Sequence, residues 1–211
     1  MKIEVKNLNR KIDNQNVLSN INLEVNSGKI YGIIGRNGSG KSILLKTICG
    51  FIKPTNGQVL VDGVEIYKKN IFPSNTAALL DIPSYIPDLT GYENLELLAS
   101  INKKIGKEEI IQTLEKVNLY EEKDKKFKKY SLGMKQKLGI AQVLMENPEI
   151  MIFDEPFNGL DEESTTKIRK ILISEKENGK LIIIATHIKE DIDNLCDEVF
   201  EINNGILKKK R

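Results

Sequence analysis

The sequence predicts an α/β fold, a mostly parallel sheet covered on both faces, with a helical subdomain inserted into it. Three observations carry this. Short apolar runs at residues 29–34, 150–153 and 181–185 read as buried strands. A helical pattern over residues 162–174 separates the last two, and such alternation of strand and helix builds a parallel sheet. From Thr90 to about Met145 the strand signals vanish and three helical stretches replace them.

Taken in chain order, residues 2–5 and 20–25 alternate with period two, as half-buried strands do. Residues 29–34 turn continuously apolar and lead into a glycine-rich turn, which marks a central strand. A helix over residues 42–51 places Leu44, Leu45 and Ile48 on one face and stops at Gly50, with Pro54 beyond as a breaker. Residues 58–61 and 64–66 flank Asp62-Gly63, a hairpin pair read as a plain surface turn. The helical stretches are 92–101, 108–117 and 133–145; the charge run at 121–130 between them is expected to be a solvated face. Strand signals return at 150–153, 181–185 and 199–202. Lys208-Lys209-Lys210-Arg211 reads most simply as a frayed solubilising tail, with contact to anionic lipid as the alternative.

Composition bounds the function. A chain of 211 residues has room for one domain with a subdomain, against a usual domain length of about 150, and not for two duplicated modules. With 40% hydrophobic and 29% charged residues it is globular rather than disordered. Lys and Arg number 32 against 30 Asp and Glu, a balance that gives no electrostatic case for a nucleic-acid partner. One histidine and two distant cysteines exclude a zinc finger or an HExxH site, so a metal would be bound by oxygen. The N-terminus lacks the apolar stretch of a secretory signal, and the longest apolar run, residues 181–185, is far short of a membrane span of about 20 residues. A cytosolic location with reduced thiols is expected, Cys49 being a small core residue.

The chemistry begins at Gly35-Arg36-Asn37-Gly38-Ser39-Gly40-Lys41-Ser42, which matches GxxxxGK[ST], the phosphate-binding P-loop. Glycines let backbone N–H groups turn inward as an anion nest, and the helix beginning near Gly40 adds its positive end. Lys41 is expected to reach the β and γ phosphates of ATP, and the Ser42 hydroxyl to ligate Mg²⁺. At residues 150–155 four apolar residues end in Asp154 and Glu155. On a buried strand, Asp154 would hold the Mg²⁺ shell through water, and Glu155 would orient or deprotonate the attacking water. Such an acidic pair means little alone; it gains meaning beside a P-loop.

With Tyr130-Ser131-Leu132-Gly133-Met134-Lys135-Gln136 the sequence resembles the ATP-binding subunit of an ABC transporter, since this stretch is similar to the family signature LSGGQ. The resemblance covers essentially the whole chain: Walker A at residues 35–42, the signature at 131–136, Walker B at 150–154, then Glu155, a D-loop at Asn158-Gly159-Leu160-Asp161, and the switch His187. It implies a P-loop NTPase core of the RecA-like, ABC ATPase type over residues 1–211, with a small antiparallel β subdomain and a helical subdomain inserted at about 84–145. It also implies ATP hydrolysis with Mg²⁺, in which Glu155, His187 and Lys41 are catalytic. Ser131 and the Gly133 amide, at a helix N-terminus, would offer donors to the γ phosphate held by an opposite subunit. Asp161 belongs to the same composite site. The implied partners are separate transmembrane permease subunits and a second ATP-binding subunit, as a homodimer on the cytoplasmic side of the membrane.

Three departures refine it. Leu132 replaces the first signature glycine, and the form YSLGMKQ resembles exporters of peptides, antibiotics and lantibiotic-type bacteriocins. Ile12 stands where the family puts an aromatic that stacks on adenine, so Ile12 gives apolar cover unless Tyr31 or another residue stacks. Asp81, within residues 77–94, stands where most relatives carry the Q-loop glutamine, and is either a metal-shell residue or a solvent-facing loop residue. Beside transport, the resemblance admits a soluble ABC ATPase of cofactor assembly or regulation with no membrane partner.

Overall fold

The computed structural model describes residues 1–81 and 84–211. β1 (Lys2–Ile12), β2 (Gln15–Asn26) and β3 (Lys29–Ile34) lead to α1 (Lys41–Ile48), followed by β4 (Asn56–Val61), β5 (Val64–Glu65), the short α2 (Ile66–Lys69) and β6 (Thr76–Leu79). After α3 (Gly91–Asn102), α4 (Lys107–Lys116) and α5 (Leu132–Leu144) come β7 (Ile150–Asp154), α6 (Glu162–Glu177), β8 (Leu181–Ala185), α7 (Lys189–Leu195), β9 (Glu198–Asn203) and β10 (Ile206–Lys209). The described residues pack as two compact units. One comprises Met1–Leu80, Glu149–Glu155 and Ile173–Arg211; the other comprises Asp81–Pro148 and Pro156–Leu172.

The first unit holds two sheets. One is antiparallel, in the order β2-β1-β4-β5; the other runs β10-β9-β3-β8-β7-β6, with β10 as its antiparallel edge. Every residue of β7 and β8 is buried, which is why these strands read as unbroken apolar runs. Tyr31 and Ile33 of β3, Leu44, Leu45 and Ile48 of α1, Ile152 of β7 and Ile183 of β8 share one core with Ile3, Val5 and Ile21 of the antiparallel sheet. Each such aliphatic side chain contributes about 1.5 to 3 kcal/mol by leaving water. This core fixes β3, β7 and β8 side by side, so the chain leaves all three strands along one sheet edge.

Local chemistry sets the punctuation. Asp62 and Gly63 both take positive φ, 48° and 76°, as a two-residue hairpin turn requires, and Val61 faces Val64 across it. α1 ends before Gly50, whose φ of 84° carries the chain out of the helix.

In the second unit α3, α4 and α5 each lie within one residue of the periodic stretches that predict them. Thr90 and Glu93 cap α3 reciprocally, at 3.1 and 2.7 Å. The charge run behaves in two ways. Its charged side chains are mostly exposed, but Phe127 and Tyr130 are buried, with ring centroids 5.7 Å apart.

The expected frayed tail is corrected. Lys208 pairs with Glu201 and Lys209 with Phe200 in β10, and the Arg211 guanidinium donates to the carbonyls of Ile192 and Cys196. A basic composition masked a strand because its lysines find carboxylates: Lys209 meets Glu198 at 2.7 Å and Lys210 meets Glu201 at 2.8 Å.

Candidate functional site

β3 ends at Ile34, and the loop that follows turns tightly, Ser39 N donating to Arg36 O at 3.1 Å. Gly38 and Gly40 have φ of 77° and 110°. A Cβ on Gly35 would press on Ser39 Oγ at 2.6 Å and on the Ile202 carbonyl, so only glycine fits there. Gly40 sits at the N-cap of α1 without a capping side chain, and the first turn of α1 carries no acid. Its positive end is therefore left open to an anion. Ser39 is 9% exposed, and its Oγ has no hydrogen-bond partner among the described residues. A glycine cradle, an open helix end and a buried unsatisfied hydroxyl together fit a bound phosphate chain. A cleft of about 500 Å³, lined by this loop and by residues 201–204, opens beside it.

Lys41 is almost fully buried. Its Nζ donates to Gly35 O at 2.7 Å and lies 3.9 Å from Glu155 Oε1. Asp154, 9% exposed, closes β7, and Ser42 occupies the first turn of α1. Glu155 follows with φ of 49°, a left-handed conformation that costs a non-glycine residue about 1 to 3 kcal/mol and persists where the surroundings impose it. The backbone N–H of Glu155 donates to Ala185 O at 2.8 Å, tying the end of β7 to the end of β8. Its Oε1 lies 2.9 Å from His187 Nδ1. Glu155 Oε1 is thus shared by Lys41 and His187, three residues from three separate segments.

Ile12 ends β1 opposite Gln15 and is 37% exposed, so it offers an apolar surface. Tyr31 is unavailable for stacking. It is 1% exposed in the core, where its hydroxyl accepts from Asn26 N at 2.9 Å.

The remaining sequence candidates belong to the second unit. Ser131 caps α5, its Oγ accepting from Met134 N at 3.2 Å. Gly133 lets the Gly159 carbonyl approach, since a Cβ there would meet that oxygen at 2.7 Å. Leu132, in place of a glycine, packs on Gly159, whose φ is 77°. Gln136 Nε2 donates to Pro156 O at 3.0 Å. Asp161 caps α6 by accepting from Ser164 N at 2.7 Å, and this backbone bond holds its carboxyl below the usual range. Asp81 has φ of 67°. Ile82 and Pro83, of the stretch 77–94, lie outside the described residues.

A model of the family described as ABC transporter matches residues 18–158. The chain belongs to this family. It is an ATP-binding subunit of the ABC type and an ATPase. One relative, an uncharacterized ABC transporter ATP-binding protein YybJ of Bacillus subtilis (strain 168), is 40% identical over 98% of this chain and 94% of its own. The bacitracin transport ATP-binding protein BcrA of Enterococcus faecalis is 41% identical over 97% of this chain and 67% of its own. Among solved structures, the dimeric post-hydrolysis state of the ATP-binding cassette MJ0796 bound to ADP and Pi superposes with a TM-score of 0.85, at 26% identity and 99% coverage of both chains. Among the described residues no helix of this ABC ATPase is long and apolar enough to cross a membrane.

Sequence reasoning missed Thr186 and Asp191, both 1% exposed beside His187. A threonine closing an apolar strand and an acid in a short helix carry no spacing signal, and only their burial marks them.

Proposed function

We propose that this subunit powers export of a peptide-like antibiotic or bacteriocin through separate transmembrane permease subunits, on the cytoplasmic side of the membrane. It would work as a dimer with a second ATP-binding subunit. Support for the cargo class is the bacitracin transport relative and the form of the segment around Leu132. The observation that carries hydrolysis is the Glu155 carboxylate gripped by His187 at 2.9 Å beside Lys41.

Gly35, Arg36, Asn37, Gly38, Ser39 and Gly40 cradle the phosphates with backbone N–H groups, and Lys41 neutralises the β and γ oxygens. Glu155 takes a proton from water as the water oxygen bonds to the γ phosphorus and the bond to the ADP oxygen breaks. His187 donates from Nδ1 to the carboxylate and steadies it. Ser42 and Asp154 would hold Mg²⁺. Mg²⁺, when bound, offsets the charge of the β and γ phosphates. Ile12 covers the adenine. Ser131, with its O–H left to donate, the Gly133 amide and Asp161 serve the site of the second subunit.

Glu155→Gln keeps the shape and removes the base. ATP turnover should fall by about 100-fold or more while ATP binding persists. Turnover at the wild-type rate would show that Glu155 is not the base.

A further inference from the structure

We infer that Thr186 and Asp191 form a buried frame that sets His187 against Glu155, which makes Thr186 a positioning residue for hydrolysis. The inference rests on the roles proposed for Glu155 and His187. The side chain of His187 is 54% exposed, so packing does not hold it in place. The residues on either side of it are held instead. On one side Thr186 N donates to Ile33 O at 3.2 Å, and on the other Ile188 N donates to Thr186 Oγ1 at 3.1 Å. The histidine therefore stands in a turn closed by the hydroxyl of the residue before it.

A hydroxyl has one hydrogen, and the direction of that hydrogen decides whether its lone pair faces the Ile188 amide. Asp191 Oδ2, 3.4 Å from Thr186 Oγ1, is the acceptor that draws the hydrogen away from the amide. Strand termination does not require this hydroxyl, since the Thr186 backbone N–H already has its partner in β3. Burying a hydroxyl and a carboxylate costs free energy that an apolar pair of similar shape would avoid. What the polar pair adds is the fixed turn, and through it the 2.9 Å contact from His187 Nδ1 to Glu155 Oε1.

The test uses the fact that His187 is the one histidine of the chain. A long-range ¹H–¹⁵N spectrum, taken where the ring is neutral, reports which nitrogen carries the proton. With Glu155 as acceptor it is Nδ1. Thr186→Val, isosteric but without the hydroxyl, should move the pattern toward free imidazole, in which the proton favours Nε2. It should also lower kcat about tenfold with KM changed less than about twofold, and Thr186→Ser should restore both. If the Val variant does not fold, Thr186→Ala takes its place, with melting curves as the check. A wild-type ring pattern in the variant overturns the inference, whether or not kcat falls. A shifted pattern with unchanged kcat overturns the positioning role. If His187→Ala also turns over ATP at the wild-type rate, the failure lies in the role proposed for His187, and the ring pattern alone then judges the frame.

Discussion

Lys41 is held at 2.7 Å by Gly35 O, so its ammonium is aimed before any phosphate arrives. Arg36, in the same loop, is exposed. Lys41→Ala should therefore weaken ATP binding about tenfold or more, the size of one charge-assisted hydrogen bond, and Arg36→Ala should weaken it less. A nucleotide titration with unchanged affinity for Lys41→Ala would remove the phosphate-loop assignment. Ile12 supplies area without a π face. Ile12→Tyr should tighten ATP by about 0.5 to 1.5 kcal/mol, measured in the same titration, and no change would mean that another residue stacks on the base. At this scale the phosphate loop was legible because its spacing is the chemistry itself. His187 was legible only through family resemblance, and Thr186 not at all, since a threonine after five apolar residues looks like any strand end.

Elements with a long amphipathic period were readable to within a residue, as α3, α4 and α5 were. β6 was not, because Thr-Ala-Ala-Leu is too short to show a period and takes its identity from pairing with β7. α7, seven residues long, depends likewise on its tertiary setting, and β10 hid behind its lysines. The Thr90 capping box offers a test remote from the phosphate loop. Thr90→Ala should lower stability in urea by about 1 kcal/mol and leave ATP turnover unchanged. The two cysteines test the packing of α1 and of the segment after α7. Burial pushes both thiols up to about 12, so neither should react with a thiol reagent at pH 8 in the folded protein, and both should react after unfolding. Labelling of native Cys49 would contradict its place in the core.

For the whole molecule, composition gave the class and little more: the near balance of charge argued against nucleic acid, and the apolar content argued for one core. Glu155, His187 and Lys41 meet within one unit, whereas Ser131, Gly133 and Asp161 belong to the other, and the proposed cycle has two copies exchange these groups across ATP. A site shared in that way should bind a second copy only while the nucleotide is intact, and slow hydrolysis should trap the pair. Sedimentation of Glu155→Gln, with and without ATP and Mg²⁺, measures this directly. The expected result is a doubling of mass with ATP, one nucleotide retained per chain, and reversal with ADP. A mass that stays that of one chain at saturating ATP would contradict it.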